Sequence, residues 1–392
     1  MQNGRNKKNK KGTIFHPFCF SFLKGAYKLE TMKPTQKLHD LRQSLWLDNI
    51  SREMLDKGVL KKYIDEYSIT GLTSNPTIFD HAIARSHFYD HSILEYSHKG
   101  LEGEELFFQL AIEDLRRAAD LFSPIYERTF GKDGWVSLEV SPLLAYDAQN
   151  TFLEAQRLHQ VFQRPNLFIK IPGTKESLPA IEKSIFQGIP INVTLLFTPQ
   201  HYLEAAEAYM RGLERRIAER LPLENVFSVA SLFVSRWDKA TMNRVGDSLR
   251  NQLGIAIAKK TYKAYRDVLE SDRWKQLAQK KANAQLLLWA STGTKDPQAS
   301  DILYVKNLVA PDTINTMPEE TLLAFADHGQ IGEVLPRDGG NADEIIAQYH
   351  QQGIRVDELG QLLQKEGAES FVNSWNDLLS SLKKKASLLR AF

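Results

Sequence analysis

NLFIKIP, residues 166–172, and IPINVTLL, residues 189–196, are short apolar runs rich in β-formers, and a helical pattern separates them. Two such runs joined through a helix read as a parallel βαβ unit. The alternation continues outward in both directions. Upstream lie Ser44–Ile50, Ile69–Ser74 and Gly134–Ser141; downstream lie Asn225–Leu232 and Gln285–Thr292, with a weaker eighth run at Tyr304–Val309. Eight strands alternating with helices predict an α/β fold, a single closed (β/α)8 TIM barrel.

The intervening helices carry their own start and stop signals. Thr198 and Pro199 supply an N-cap and a first-turn proline for a helix running to about Arg220, and Tyr202, Ala205, Ala206, Tyr209 and Leu213 form its apolar stripe. Asp147 opens a helix to about Phe162. Thr316, Pro318, Glu319 and Glu320 read as the start of another, which Gly329 stops. Residues 310–392 read as largely helical, with no further strand alternation, so residues 34–392 are expected to form one barrel domain including its C-terminal helices.

Lys170 stands in the middle of the first quoted run. An ammonium taken out of water loses solvation, which favours the free amine, a nucleophile toward carbonyls. A neighbouring carboxylate that neutralises the charge is the other explanation of such a placement. Because residues two apart in a strand share a face, parity groups Trp46 with Asp48, Gly71 with Thr73 and Asn75, and Ser137 with Glu139. It likewise groups Phe168 with Lys170, Asn192 with Thr194, Val229 with Ser231, and Trp289 with Ser291. Polar or ionisable groups thus converge on one parity near the C-terminal strand ends, where barrels assemble their reaction centres. A polar ring filled by water or internal ion pairs is the alternative, and three ionisable groups together weigh against it.

With 42% hydrophobic and 25% charged residues, the 392-residue chain has the composition of a globular protein. Residues 1–33 hold eight Lys or Arg against one Glu, so the net charge of +2 conceals a basic arm on a mildly acidic body. That distribution argues against nucleic-acid binding, which needs cations clustered on the folded surface. The arm, including the apolar run from Ile14 to Leu23, is expected to be a disordered or extraneous extension before Met32. A single cysteine, Cys19, rules out an intramolecular disulfide and fits the cytoplasm. No stretch reaches the roughly 18 apolar residues of a membrane span. The ten histidines show no metal-ligand spacing and no glycine-rich nucleotide loop occurs, so neither metal nor cofactor is expected.

The ordered motifs Leu47-Asp48-Asn49, Gly71 through Phe79, Ser137-Leu138-Glu139-Val140, Phe168 through Pro172 and Ile191 through Phe197 resemble the transaldolases. Trp289 through Lys295 and Asn307 through Met317 are similar to the longer bacterial subfamily, and the chain is too short for the phosphoglucose isomerase fused to some relatives. The resemblance implies a barrel of the class I aldolase type that moves a dihydroxyacetone unit between sugar phosphates through a lysine Schiff base, in the non-oxidative pentose phosphate pathway. It implies Lys170 as nucleophile, Asp48 as the acid/base at the C4 hydroxyl, and Glu139 with Thr194 as a proton shuttle. Thr73, Asn75 and Asn192 fall at the substrate, the two amides either fixing its hydroxyls or capping strand ends. Ser231, Arg236 and Ser291 fall at the phosphate end, and Phe233 either adjoins the three-carbon unit, where it tunes the balance between transfer and plain hydrolytic aldol cleavage, or packs in the core. Many transaldolases carry an arginine two residues beyond the last serine; here that residue is Gly293, and Lys295 is the nearest cation. Homodimer and monomer both remain open.

Overall fold

A computed structural model describes residues 32–391. The expected basic arm, with Cys19, lies outside the described residues except for Met32 and Lys33. Eight parallel strands close into a barrel in sequential order: β1 (Gln43–Asp48), β2 (Ile69–Thr73), β3 (Val136–Glu139), β4 (Leu167–Pro172), β5 (Ile191–Leu196), β6 (Ser228–Phe233), β7 (Leu286–Ala290) and β8 (Thr313–Met317). Pairing of Gln43 with Thr313 and of Leu47 with Met317 closes β1 onto β8.

Seven strands fall where the apolar runs predict them, and the eighth does not. Residues Leu303–Asn307 form a short helix, and the closing strand is TINTM at 313–317. That strand is no apolar run, and neighbours pair with most of its polar side-chain atoms. Gln43 Nε2 donates to Thr313 Oγ1 at 2.8 Å, Thr292 Oγ1 donates to Asn315 Oδ1 at 3.0 Å, and the Thr73 and Thr316 hydroxyls lie 2.6 Å apart. Thr316 is therefore a strand residue, not a helix start; the helix runs Glu319–His328.

Strand parity sorts the core into two layers. Leu45, Leu47, Leu138, Ile169, Ile171, Ala230 and Leu232 pack outward under the helices. Trp46, Phe168, Val229, Leu288 and Ile314 fill the barrel, joined at its base by Trp135 and Phe227. Trp135 stacks on Phe168 with centroids 4.1 Å apart, and Trp46 Nε1 donates to Asp133 Oδ1 at 2.9 Å. Gly71 is what lets the Trp46 indole cross the lumen, since a Cβ there would lie 2.5 Å from it. On β7 the parity is opposite to expectation: Trp289 packs in the outer layer, and Leu288 and Ala290 face inward. Ser291 nevertheless reaches the mouth, because its backbone turns left-handed (φ 55°) and resets the alternation.

Caps fix where the helices begin. Thr198 Oγ1 accepts from His201 N at 3.0 Å and Asp147 Oδ1 from Asn150 N at 3.1 Å. The last helix, Val356–Arg390, runs for 35 residues. Gln364 Nε2 pins it to the mouth of the barrel, donating to Gly173 O and Leu195 O at 3.0 Å each.

Candidate active site

The strand ends open into a cavity of about 660 Å³ lined by Asp48, Thr73, Asn75, Lys170, Asn192, Thr194, Ser231, Phe233, Arg236, Ser291 and Lys295. Glu139 is the remaining residue singled out by sequence, and it meets this group through Lys170. All twelve residues are therefore brought together at one end of the barrel.

Lys170 is 5% exposed, and its Nζ donates to Ser74 O at 2.9 Å and to Glu139 Oε2 at 3.3 Å. Adjacent strands make this pair, since β3 and β4 place Glu139 directly beside Lys170. Burial pushes the Glu139 carboxyl above the usual carboxylate range, against the pull of the neighbouring ammonium. Its Oε1 has no partner, nor has Thr194 Oγ1; both are buried. Orphaned oxygens of this kind are points where water or substrate binds.

Asp48, two strands from Glu139, ends β1. Its Oδ1 accepts from Thr73 Oγ1 at 2.8 Å. Burial raises its pKa, while Lys170, the Thr73 hydroxyl and Lys295 act in the opposite sense and Glu320 adds to the rise. Thr316 holds Thr73 from the far side, so a row of two hydroxyls orients this carboxylate. Thr316 is not legible as a site residue in the sequence, where it reads with Pro318, Glu319 and Glu320 as a helix start.

The two amides are held differently. Asn75 Oδ1 accepts from Ile78 N at 3.1 Å as an N-cap, and the residue lines the cavity with its amide nitrogen uncommitted, so capping leaves that nitrogen free. Asn192 Oδ1 accepts from Ser231 Oγ at 2.7 Å, and its Nδ2 lies 3.4 Å from Ser137 Oγ. Ser231 thereby orients an amide as well as lining the wall. Ser235 and Ser291 hydroxyls lie 2.9 Å apart at the next strand ends.

Two of the residues singled out by sequence are cations apart from Lys170. The Arg236 guanidinium lies 5.3 Å from the Phe233 ring and 5.9 Å from that of Phe371, and burial lowers its pKa. Lys295 is exposed at the rim, with its Nζ 3.7 Å from where a Cβ on Gly293 would sit. The ammonium thus reaches back beside the residue whose side chain is missing. Phe371, Ser370, Glu319, Glu320, His81 and Arg85 also line the cavity. Glu319 and Glu320 carried only a helix-start signal, and none of the six was legible as a site residue, since helix and loop positions enter the mouth only through the tertiary fold. Among the described residues no group of three His, Cys, Asp or Glu side chains could hold a metal ion, and no helix is long and apolar enough to cross a membrane.

Residues 45–382 match the family described as Transaldolase/Fructose-6-phosphate aldolase. The chain is similar to Transaldolase 2 of Streptomyces coelicolor, 42% identical over 355 residues that cover 88% of this chain and 95% of that one. Transaldolase 2 of a Nostoc species is 40% identical over 372 residues, 90% and 97% of the two chains. The Mycobacterium tuberculosis transaldolase is 42% identical over 349 residues, 87% and 94% of the two.

Proposed function

The chain belongs to the transaldolase/fructose-6-phosphate aldolase family, and on that premise we propose that Lys170 is the amine through which it works. The enzyme is a transaldolase: it transfers a dihydroxyacetone unit between the ketoses sedoheptulose 7-phosphate and fructose 6-phosphate and the aldoses glyceraldehyde 3-phosphate and erythrose 4-phosphate. The observation that supports this assignment most is a single buried lysine nitrogen 3.3 Å from a buried carboxylate, in a cavity that a second carboxylate, Asp48, also lines.

The chemistry then follows from the residues. Glu139 takes the proton that frees Lys170 to attack C2 of the ketose, and returns it to the departing hydroxyl of the carbinolamine, which leaves as water. Thr194, with its hydroxyl uncommitted beside β4, orients that water. The iminium so formed accepts the electron pair of the C3–C4 bond. Asp48 takes the C4 hydroxyl proton as the aldose leaves, and gives it back to the acceptor aldehyde oxygen when the new bond forms. Asn75 and Asn192 hold the hydroxyl groups of the three-carbon unit, so the enamine waits in place instead of diffusing into unproductive geometries.

Arg236 and Lys295 are the phosphate-binding cations in this reading, with Ser231 and Ser291 lining the same cavity. Arg236 offers a planar fork of donors and Lys295 a point charge. The compartment we propose is the cytoplasm, which accords with a single cysteine in the chain. As a test, the purified chain is given fructose 6-phosphate and erythrose 4-phosphate. Erythrose 4-phosphate should disappear one for one with the appearance of glyceraldehyde 3-phosphate. Release of glyceraldehyde 3-phosphate with no consumption of erythrose 4-phosphate would make the chain a plain aldolase instead.

A further inference from the structure

Phe371 projects from the last helix into the reaction centre. Its ring centroid lies 5.9 Å from Lys170 Nζ and 5.9 Å from the Arg236 guanidinium, and it meets Phe233 edge-on at 6.4 Å. One side chain therefore faces both the proposed nucleophile and the proposed phosphate cation, while being only 6% exposed. The helix that carries it comes this close because glycines recur at its contact face. A Cβ at Gly360 would lie 2.4 Å from Thr198 Cγ2, and one at Gly367 would lie 3.2 Å from Arg236 Nη1. With Gln364 bonded to the ends of β4 and β5, the position of Phe371 is set by the barrel itself.

Two physical consequences attach to this ring. First, Arg236 forms no ion pair among the described residues; two aromatic faces hold it. A ring quadrupole attracts a guanidinium without occupying its N–H groups, so the fork stays available to an anion. Second, an apolar ring beside the iminium occupies space that water would otherwise take. Water there has a defined consequence. If the enamine carbon takes a proton in place of the aldehyde carbon, the resulting iminium adds water at C2, the C–N bond breaks, and free dihydroxyacetone leaves with Lys170 returned as an amine.

We propose that Phe371 is a positioning and specificity-determining residue: it presents Arg236 to the substrate phosphate and shields the Lys170 adduct from water, favouring transfer over release. This rests on the assignment of Lys170 and Arg236 above. Phe371→Leu keeps apolar bulk but removes the π face, whereas Phe371→Ala removes both. The Leu variant should raise the KM for fructose 6-phosphate at least about threefold and leave the ratio of free dihydroxyacetone to transferred unit near that of the parent. The Ala variant should raise both quantities at least about threefold, with the borohydride-trapped adduct still on Lys170. A folded Ala variant with neither quantity changed by that much, or variants that lose only kcat, would overturn the proposal. If the Ala variant does not fold, the Leu variant decides, and an unchanged KM overturns it. A parent protein that neither transfers nor traps would instead contradict the Lys170 assignment itself.

Discussion

At the scale of single residues, the proposed centre combines two carboxyls that burial makes harder to ionise with one buried amine, Glu139 on the strand beside Lys170 and Asp48 two strands further round the barrel. Removing the amine should remove the reaction: Lys170→Ala is expected to lower kcat by more than about a thousandfold, on the order of 4 kcal/mol of barrier, while circular dichroism stays that of the parent. Residual activity within tenfold would exclude Lys170 as nucleophile. For Asp48→Asn the Schiff base should still form, but cleavage should slow by about 10²–10⁴, the usual worth of a positioned base; single-turnover release of glyceraldehyde 3-phosphate reads this directly. Asp48 must be ionised to accept a proton, and its pKa is raised. Activity should therefore fall on acidification along a limb lying above the pH of about 4 at which an ordinary aspartate titrates. An acid limb at or below pH 4 in kcat/KM would contradict the assignment. Lys295→Ala is expected to raise the KM for fructose 6-phosphate several-fold with little change in kcat, the signature of lost uniform binding.

At the scale of elements, Asp238 stitches the helix that carries Arg236 to its neighbours. Its carboxylate accepts from Leu253 N at 2.9 Å and from Tyr304 Oη at 2.8 Å, and burial raises its pKa to about 6. Since the folded state favours the protonated form, this contribution to stability is full below the unfolded value near 4. It is lost as pH rises through about 6. Urea unfolding between pH 4 and 7 should show that decline in the parent and a shallower one in Asp238→Asn; equal slopes would assign the decline to other groups. The closing helix offers a contest of two effects. Gly360→Ala gains about 1 kcal/mol of helix propensity, but its Cβ would meet Thr198 and Trp237, an overpacking that costs about 1–3 kcal/mol. Net destabilisation is expected from denaturant midpoints.

Element by element, legibility in the sequence tracked composition. Runs such as NLFIKIP are readable because both faces are buried and apolar except at the site. TINTM is not, since its Thr and Asn side chains find partners only across the closed barrel. Parity placed Asp48, Glu139, Lys170, Asn192 and Thr194 together, because strand alternation is a local property. It failed at Trp289, where inward and outward positions were exchanged, and was restored at Ser291 only by a left-handed residue that no pattern announces. Phe371 was invisible for a different reason: its stripe on a long helix looks like any core contact, and the mouth lies across the fold.

For the whole molecule, barrel closure and the last helix together make the centre. All eight strands lie between Gln43 and Met317 and the family match spans 45–382, so a chain beginning at Met32 should retain its transferase activity. A chain ending before Val356 should lose it, because Gln364 and Phe371 would be gone from the mouth. The central claim is covalent, and trapping addresses it directly. Incubating the folded protein with fructose 6-phosphate and sodium borohydride should add one reduced dihydroxyacetone unit, mapped by peptide mass spectrometry to Lys170. Modification at another lysine, or an unmodified protein that still performs the transfer, would contradict it.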